Sequence, residues 1–498
     1  MSPKGSNLAR HRTAMEKKFW KALLLIGIAM HFLAALLMPL GLDAHVHASY
    51  VSDGMDDGEA HLEWGELRVD SQEGSIPKEV PADGKWYAWH LILELWFTVF
   101  SISATTLHTL GLVGGLGCLA AIYLLTRELF TEEYALQLTA LASIYPPLIR
   151  ATGRVYQEGF VLMLVAISTY AIIKALRDDK KFNMWWLVPF SAALVILSFK
   201  GMPMWYVLPA GFALFISTKL EMNQIQFTLV ALIVQLFVIT RNEISITNVD
   251  IIPALLAAFI AYFLYVRCGM LLICDTDGAI TPESEYLTKG SKMISASLVG
   301  WIAALWVTEA VTFGTDFFDI IRSYRHNGRY LSLLIIPMWY GIMTRKENKG
   351  LTFEDDKKTT VLVLVGLLLA VNASLIVLAE ERGTDVIGEY LEDEISDDED
   401  VLFIANSPLS MHRLYSVKFS MDPNSDKESM GFWRTNTSDW QVELTDCDTL
   451  KNVNWIINYP YTNLTAPEGW VEVKFEGYDR VSDNYHLYTW GSENERCP

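Results

Sequence analysis

The stretch FWKALLLIGIAMHFLAALLMPLGL, residues 19–42, decides the class of fold. Its apolar side chains run on without a polar face for longer than the roughly 20 residues that cross a bilayer as a helix. Lys4, Arg10, Arg12, Lys17 and Lys18 precede it. A basic head before an apolar run is also the form of a secretory signal. This run exceeds a signal's apolar core, and no small-residue cleavage site follows cleanly, so it reads as a retained first membrane helix.

Further apolar runs of spanning length lie near 106–126, 133–149, 158–176, 185–199, 203–217, 225–240, 251–267, 294–313, 330–343 and 360–379. With the first, they make about eleven transmembrane helices in a polytopic α-helical membrane protein. Loop charge sets the orientation. With the N-terminus cytoplasmic, KALRDDKKFN (174–183) and TRKENKGLTFEDDKK (344–358) fall inside, where lysine and arginine accumulate. The acidic segment 43–88 and everything after Ala379 then lie outside.

Composition narrows the function. The chain is 51% hydrophobic with a formal net charge of −19, which argues against nucleic acid as a partner because that needs basic patches. Residues 88–102, AWHLILELWFTVFSI, are too short to cross and rich in tryptophan, as a helix lying in the membrane interface would be. GLVGGLGC (111–118) supplies small residues for close helix packing and lacks the strand–helix context of a phosphate loop.

Composition changes again after the last span. DVIGEYLEDEISDDEDVLFIANSP (385–408) reads as a helix, an acidic turn and a buried strand, with further strands at VNWIINYP and YHLYTW. The division is a membrane domain over 1–382, with a first outer loop at 42–105, and an extracytoplasmic α/β domain over 383–498. Of the five cysteines, Cys447 and Cys497 alone lie outside and form the plausible disulfide. Asn436 and Asn463 head two glycosylation sequons there.

Charged groups gather along the outer face. SDGMDDGEAHLEWGE (52–66) packs carboxylates around His61. Glu63, Glu66 and Asp70 read as solvated surface, whereas Asp56 and Asp57 stand opposite cations at the outer ends of other spans. YPPLIRATGRVYQEGF (145–160) offers Arg150, Arg154, Tyr156 and Glu158, and LSFKGMPMWYVLP (197–209) offers Lys200. IIRSYRHNGRYLSLLIIP (320–337) adds Arg322, Arg325, His326 and Arg329. Single cations here can snorkel to lipid head groups. Three clusters that break the inside bias beside a carboxylate pair call for an anionic partner. A sugar on a polyprenyl phosphate fits, because its phosphate leaves as an anion and needs little acid catalysis. The reaction then requires a base for the acceptor hydroxyl and cations for the departing phosphate.

With those residues in view, the sequence resembles the GT-C glycosyltransferases, membrane enzymes that use polyprenyl-phosphate sugars. DDGEAH (56–61) resembles their acidic motif, and SFKGMPMWYVLPAGFALF (198–215) is similar to the lysine–glycine segment of their protein O-mannosyltransferase and aminoarabinose-transferase branch. The 145–160 loop with its following span and HNGRYLSLLIIP (326–337) resemble further segments.

The resemblance implies an inverting transfer of one sugar, a hexose such as mannose, from a dolichyl or other polyprenyl phosphate. The acceptor would be a protein, glycan or lipid on the outer face; the chain's acidity and the reading of the first apolar run as uncleaved point to a plasma membrane. It implies Asp56 as catalytic base with Asp57 in the second acidic place, where the family usually has glutamate. It also implies Lys200, Arg150, Arg154, Arg325 and Arg329 on the donor phosphate, with Glu158, His61 and Tyr156 orienting sugar or acceptor. No WWDYG-like signature is present. No cofactor is expected; His45, His47, His61 and the aspartates lack a fixed metal-ligand spacing, and a metal-free base is preferred over a divalent cation. The alternatives are a transporter or flippase for a lipid-linked or anionic substrate, for which no internal repeat is seen, and a membrane anchor for the outer domain.

Overall fold

The computed structural model describes residues 3–56, 87–177 and 358–405, and most of 409–497 with short gaps. The spans read at 185–199 through 330–343 and both sequons lie outside the described residues. The described chain falls into two units, Met1–Leu37 with Gly111–Leu378, and Met38–Leu110 with Ala379–Pro498.

In the first unit, α1 (Pro3–Leu37) packs on α5 (Glu132–Ser143) and α6 (Pro146–Gly153), beside α4 (Ala104–Leu129), α7 (Glu158–Arg177) and α8 (Lys358–Val377). Among the described residues, three segments, Lys17–Leu37, Ala104–Leu129 and Thr359–Val377, are long and apolar enough to cross a membrane. The 133–149 run is divided rather than continuous. Pro146 and Pro147 stand at N1 and N2 of α6, where a missing N–H and a fixed φ cost nothing, and they end α5 before them. The buried carbonyl of Ile144 at this break accepts from Asn372 Nδ2 of α8 at 2.8 Å. Irregular backbone in an apolar span survives where protein satisfies it in this way.

Glycines let α4 approach its neighbours. A Cβ on Gly111 would sit 2.5 Å from the Thr152 carbonyl oxygen, and one on Gly114 would sit 2.5 Å from the Phe160 ring. Ion pairs Lys17–Glu132 (3.7 Å) and Lys174–Glu128 (2.5 Å) join helix ends that loop charge assigns to the same side.

The second unit is built on a five-stranded sheet of order β2-β1-β3-β5-β4. Its strands are β1 (Asp400–Ile404), β2 (Gly431–Arg434), β3 (Val453–Asn458), β4 (Trp470–Glu472) and β5 (His486–Trp490). The first three run parallel, and β5 and β4 add antiparallel. Every residue of β1 is buried, as expected of a parallel strand covered on both faces. Val401 and Phe403 pack under α9 (Gly383–Glu394) and α10 (Leu409–Met421), and Leu402 and Ile404 pack on the other face with Phe432 and Ile456. Cys447 and Cys497 are joined by a disulfide.

The segment read as the first outer loop also belongs to this unit. Residues 42–56 form a helix, α2 (Leu42–Asp56), which packs along α10 and buries Val46 and Tyr50 in the same core as α9 and β1. α3 (Tyr87–Val99) lies against α2, with Trp89, Leu93 and Phe97 buried and Leu91, Leu95 and Val99 exposed on the opposite side. Ser103 Oγ caps α4 by accepting from the Thr106 N–H at 3.2 Å, so α3 is separate from the span that follows.

Candidate active site

The loop from α6 to α7 carries four of the sequence-predicted residues. Arg150 is in the last turn of α6, Arg154 is its C-cap, and Glu158 opens α7, where a carboxylate suits a helix N-terminus. Arg150, Arg154 and Tyr156 are half-buried, and Glu158 is only 4% exposed. α6 ends in a Schellman turn, in which the Tyr156 N–H donates to the Ala151 carbonyl at 2.9 Å and that of Val155 to Thr152 at 3.4 Å. Such a turn needs a left-handed residue and normally takes glycine. Here it is Val155, at φ 54°. A buried β-branched residue in that conformation costs on the order of 1–3 kcal/mol and is found where surrounding structure overrides it, often at functional sites. Val155 is 1% exposed, and its Cγ2 lies 3.1 Å from the position a Gly111 Cβ would take. The strained turn sets the direction in which Arg154 and Tyr156 leave the backbone.

Below the loop, His31 of α1 reaches Thr152 Oγ1 through Nδ1 at 2.8 Å, and Thr152 Oγ1 donates to the Leu148 carbonyl at 3.1 Å. This buried polar link ties the first membrane helix to the helix that carries Arg150.

Asp56 is the last residue of α2, in the second unit. Asp57, His61, Lys200, Arg325 and Arg329 lie outside the described residues, as do Arg322 and His326. The pairing of acids with cations read from sequence is therefore seen only through its separate parts.

The structure adds groups to which the sequence reading gave no part in the transfer. Asp43 stands in the first turn of α2, directly after α1 in the chain. Burial holds His412 of α10 below the usual histidine range, and the charge of Asp43 works against that shift. Two residues along α2, His45 Nδ1 lies 2.8 Å from Ser416 Oγ and 3.1 Å from Asp385 Oδ1. Ser416 and Thr384 hydroxyls also donate to Asp385 Oδ1, each at 3.3 Å, and the Arg382 N–H donates to Oδ2 at 3.3 Å. Burial raises the Asp385 pKa, but His45 and Arg382 outweigh it and leave the carboxyl below its ordinary value. His47 Nδ1 lies 3.0 Å from His90 Nε2, joining α2 to α3. The signal in the sequence was DAHVHASY (43–50), whose His45, His47 and Ser49 are buried along with Val46, Ala48 and Tyr50.

Residues 87–242 match the family model described as dolichyl-phosphate-mannose-protein mannosyltransferase. The matched stretch begins with α3, takes in the α6–α7 loop and extends past Lys200. No curated protein matches the chain. The match falls on the segment that carries the strained cationic loop, in a chain with membrane-spanning apolar helices, and it supports a membrane glycosyltransferase of the GT-C type.

Proposed function

We propose that the protein transfers a single mannose, or a closely related hexose, from dolichyl phosphate or a similar polyprenyl phosphate to an acceptor hydroxyl outside the membrane. The observation that carries this reading is the family match over 87–242, which takes in the segment that bears Arg150, Arg154, Tyr156 and Glu158. About eleven membrane crossings, with the N-terminus cytoplasmic and residues 383–498 outside a plasma membrane, complete the architecture.

In this account a carboxylate takes the proton from the acceptor hydroxyl. The acceptor oxygen attacks the anomeric carbon, the bond from that carbon to the phosphate oxygen breaks, and the lipid phosphate leaves as an anion. Attack in line with the leaving group inverts the anomeric centre. Arg150, Arg154, Lys200, Arg325 and Arg329 stabilise the charge gathering on the phosphate, arginine through its planar fork and lysine as a point charge. Glu158, Tyr156 and His61 orient sugar and acceptor. The base is Asp56 with Asp57 beside it, acting without a metal; the acceptor is a protein by the family's description, with glycan or lipid as further candidates.

One observation favours a second choice of base. Asp43 lies at the opposite end of α2 from Asp56, about 20 Å along the helix at 1.5 Å per residue. It sits at the end where the first turns of α9 and α10 lie, and its field reaches His412. A single donor site cannot use both ends. Asp43→Asn, Asp56→Asn and Asp57→Asn, each checked for folding, separate the two. Loss of donor consumption in Asp56→Asn or Asp57→Asn alone supports the acidic pair, and loss in Asp43→Asn alone moves the base. Full turnover in all three removes base catalysis from this segment.

A further inference from the structure

Two arginines outside the transfer machinery lie at one end of the sheet. α9 and α10 run side by side in the same direction. Thr384 Oγ1 lies 3.1 Å from Ser416 Oγ, and one turn on, a Cβ at Gly388 would meet Ser420 and Val417. Their first turns therefore share the end at which β1 and β3 finish. Arg382 is the N-cap of α9, and Arg413 lies in the second turn of α10.

Arg413 is half-buried against aromatic rings. Its Nη1 donates to Tyr485 Oη at 2.5 Å, and its guanidinium carbon lies 3.8 Å from the centre of the Tyr459 ring. The two tyrosine rings are 4.8 Å apart. Burial pushes the Tyr485 hydroxyl up to about 12, and the charges of Arg413, which donates to it, and of Arg382 both act to lower it.

These donors are not all used. Arg413 Nε and Arg382 Nη1 are buried and have no hydrogen-bond acceptor among the described residues. The adjacent carboxylate, Asp385, is already shared by His45, Ser416, Thr384 and the Arg382 backbone. A buried guanidinium N–H without an acceptor is costly, and such groups mark places where an ion or ligand completes the set. The topology agrees. β1 crosses through α10 to β2 on one side, whereas β3 leads to β5 and β4 on the other. In open α/β sheets, ligands bind beyond the carboxyl ends of the strands at such a divergence.

We propose that Arg413 and Arg382, walled by Tyr459 and Tyr485, form an oxyanion site that takes a phosphate or carboxylate group. Guanidiniums suit that ligand because they offer paired N–H donors in a plane. The site stands independently of the transfer reaction, so failure of glycosyl transfer leaves it untouched.

The test is the melting temperature of the full chain in neutral phosphatidylcholine nanodiscs, titrated with inorganic phosphate or acetate at ionic strength matched with chloride. A parallel arm uses nanodiscs doped with polyprenyl phosphate. The wild type gains stability with either anion as its concentration rises. Arg413→Gln weakens that response about tenfold or more, and Arg413→Lys, which keeps the charge but loses the fork, falls between. A shift that requires the doped lipid assigns the anion to a lipid headgroup; a shift with free anions assigns it to a soluble group. If Arg413→Gln does not fold, Arg382→Gln carries the same comparison. Equal shifts in wild type and variants, or no shift in any arm, overturn the proposal.

Discussion

His45 Nδ1 and Asp385 Oδ1 lie 3.1 Å apart with both side chains buried, which joins the helix after the first membrane span to the first helix of the C-terminal sheet unit. Asp385→Ala would leave His45, Ser416 and Thr384 without their common acceptor. The expected cost is about 3 kcal/mol, read as faster hydrogen exchange in peptides from α2, α9 and β1. Because the folded carboxyl lies below its ordinary value, its contribution is fully present above the unfolded value near ~4. It is lost as pH falls through the lower folded value. Wild type and Asp385→Ala should therefore converge in exchange rate at strongly acid pH and differ above about pH 5.

Asp400 predicts the opposite trend. Burial raises its pKa to about 6, with Asp398 adding to the shift and the Met430 N–H, which it accepts at 2.8 Å, opposing it. The ionised form costs stability above that value, and the cost disappears below the unfolded value of about 4. Asp400→Asn keeps an oxygen for Met430. It should raise the melting temperature at pH 8 and leave it unchanged at pH 4; a stabilisation that persists at pH 4 would show that charge is not its source.

A substitution in the membrane unit links packing to activity. Gly111→Ala places a methyl group 2.5 Å from a backbone carbonyl oxygen of α6, and backbone cannot rotate away. α6 must shift, at a cost of roughly 1–3 kcal/mol, carrying Arg150 and Arg154 with it. The expected result is lower melting and a larger loss of transfer at low donor concentration than at saturation. Unchanged donor dependence would place the α6–α7 loop away from the phosphate.

Much of this was legible in the sequence, and the failures have physical causes. An acidic turn separates the amphipathic 383–394 segment from the apolar run 401–404 of β1, so helix and strand stood apart. β2 and β4, four and three residues long, are too short to show alternation. The 133–149 run hid a break because proline begins a helix as readily as it ends one. Residues 42–56 read as an acidic loop because the buried face of α2 is made of His45, His47, Ser49 and Ser52 as well as Val46 and Tyr50. Hydrophobic patterning does not see a face satisfied by hydrogen bonds. Arg150 and Arg154 were visible as departures from the loop-charge pattern. Asp43 was overshadowed by the denser acids that follow it.

The most direct measurement is single-turnover transfer by the purified protein in nanodiscs, supplied with mannose-labelled dolichyl phosphate and cell-envelope acceptors. The account predicts that lipid phosphate is released in step with labelled product and that the anomeric configuration is inverted. Donor that stays intact under every acceptor, or moves across the bilayer without cleavage, would contradict it.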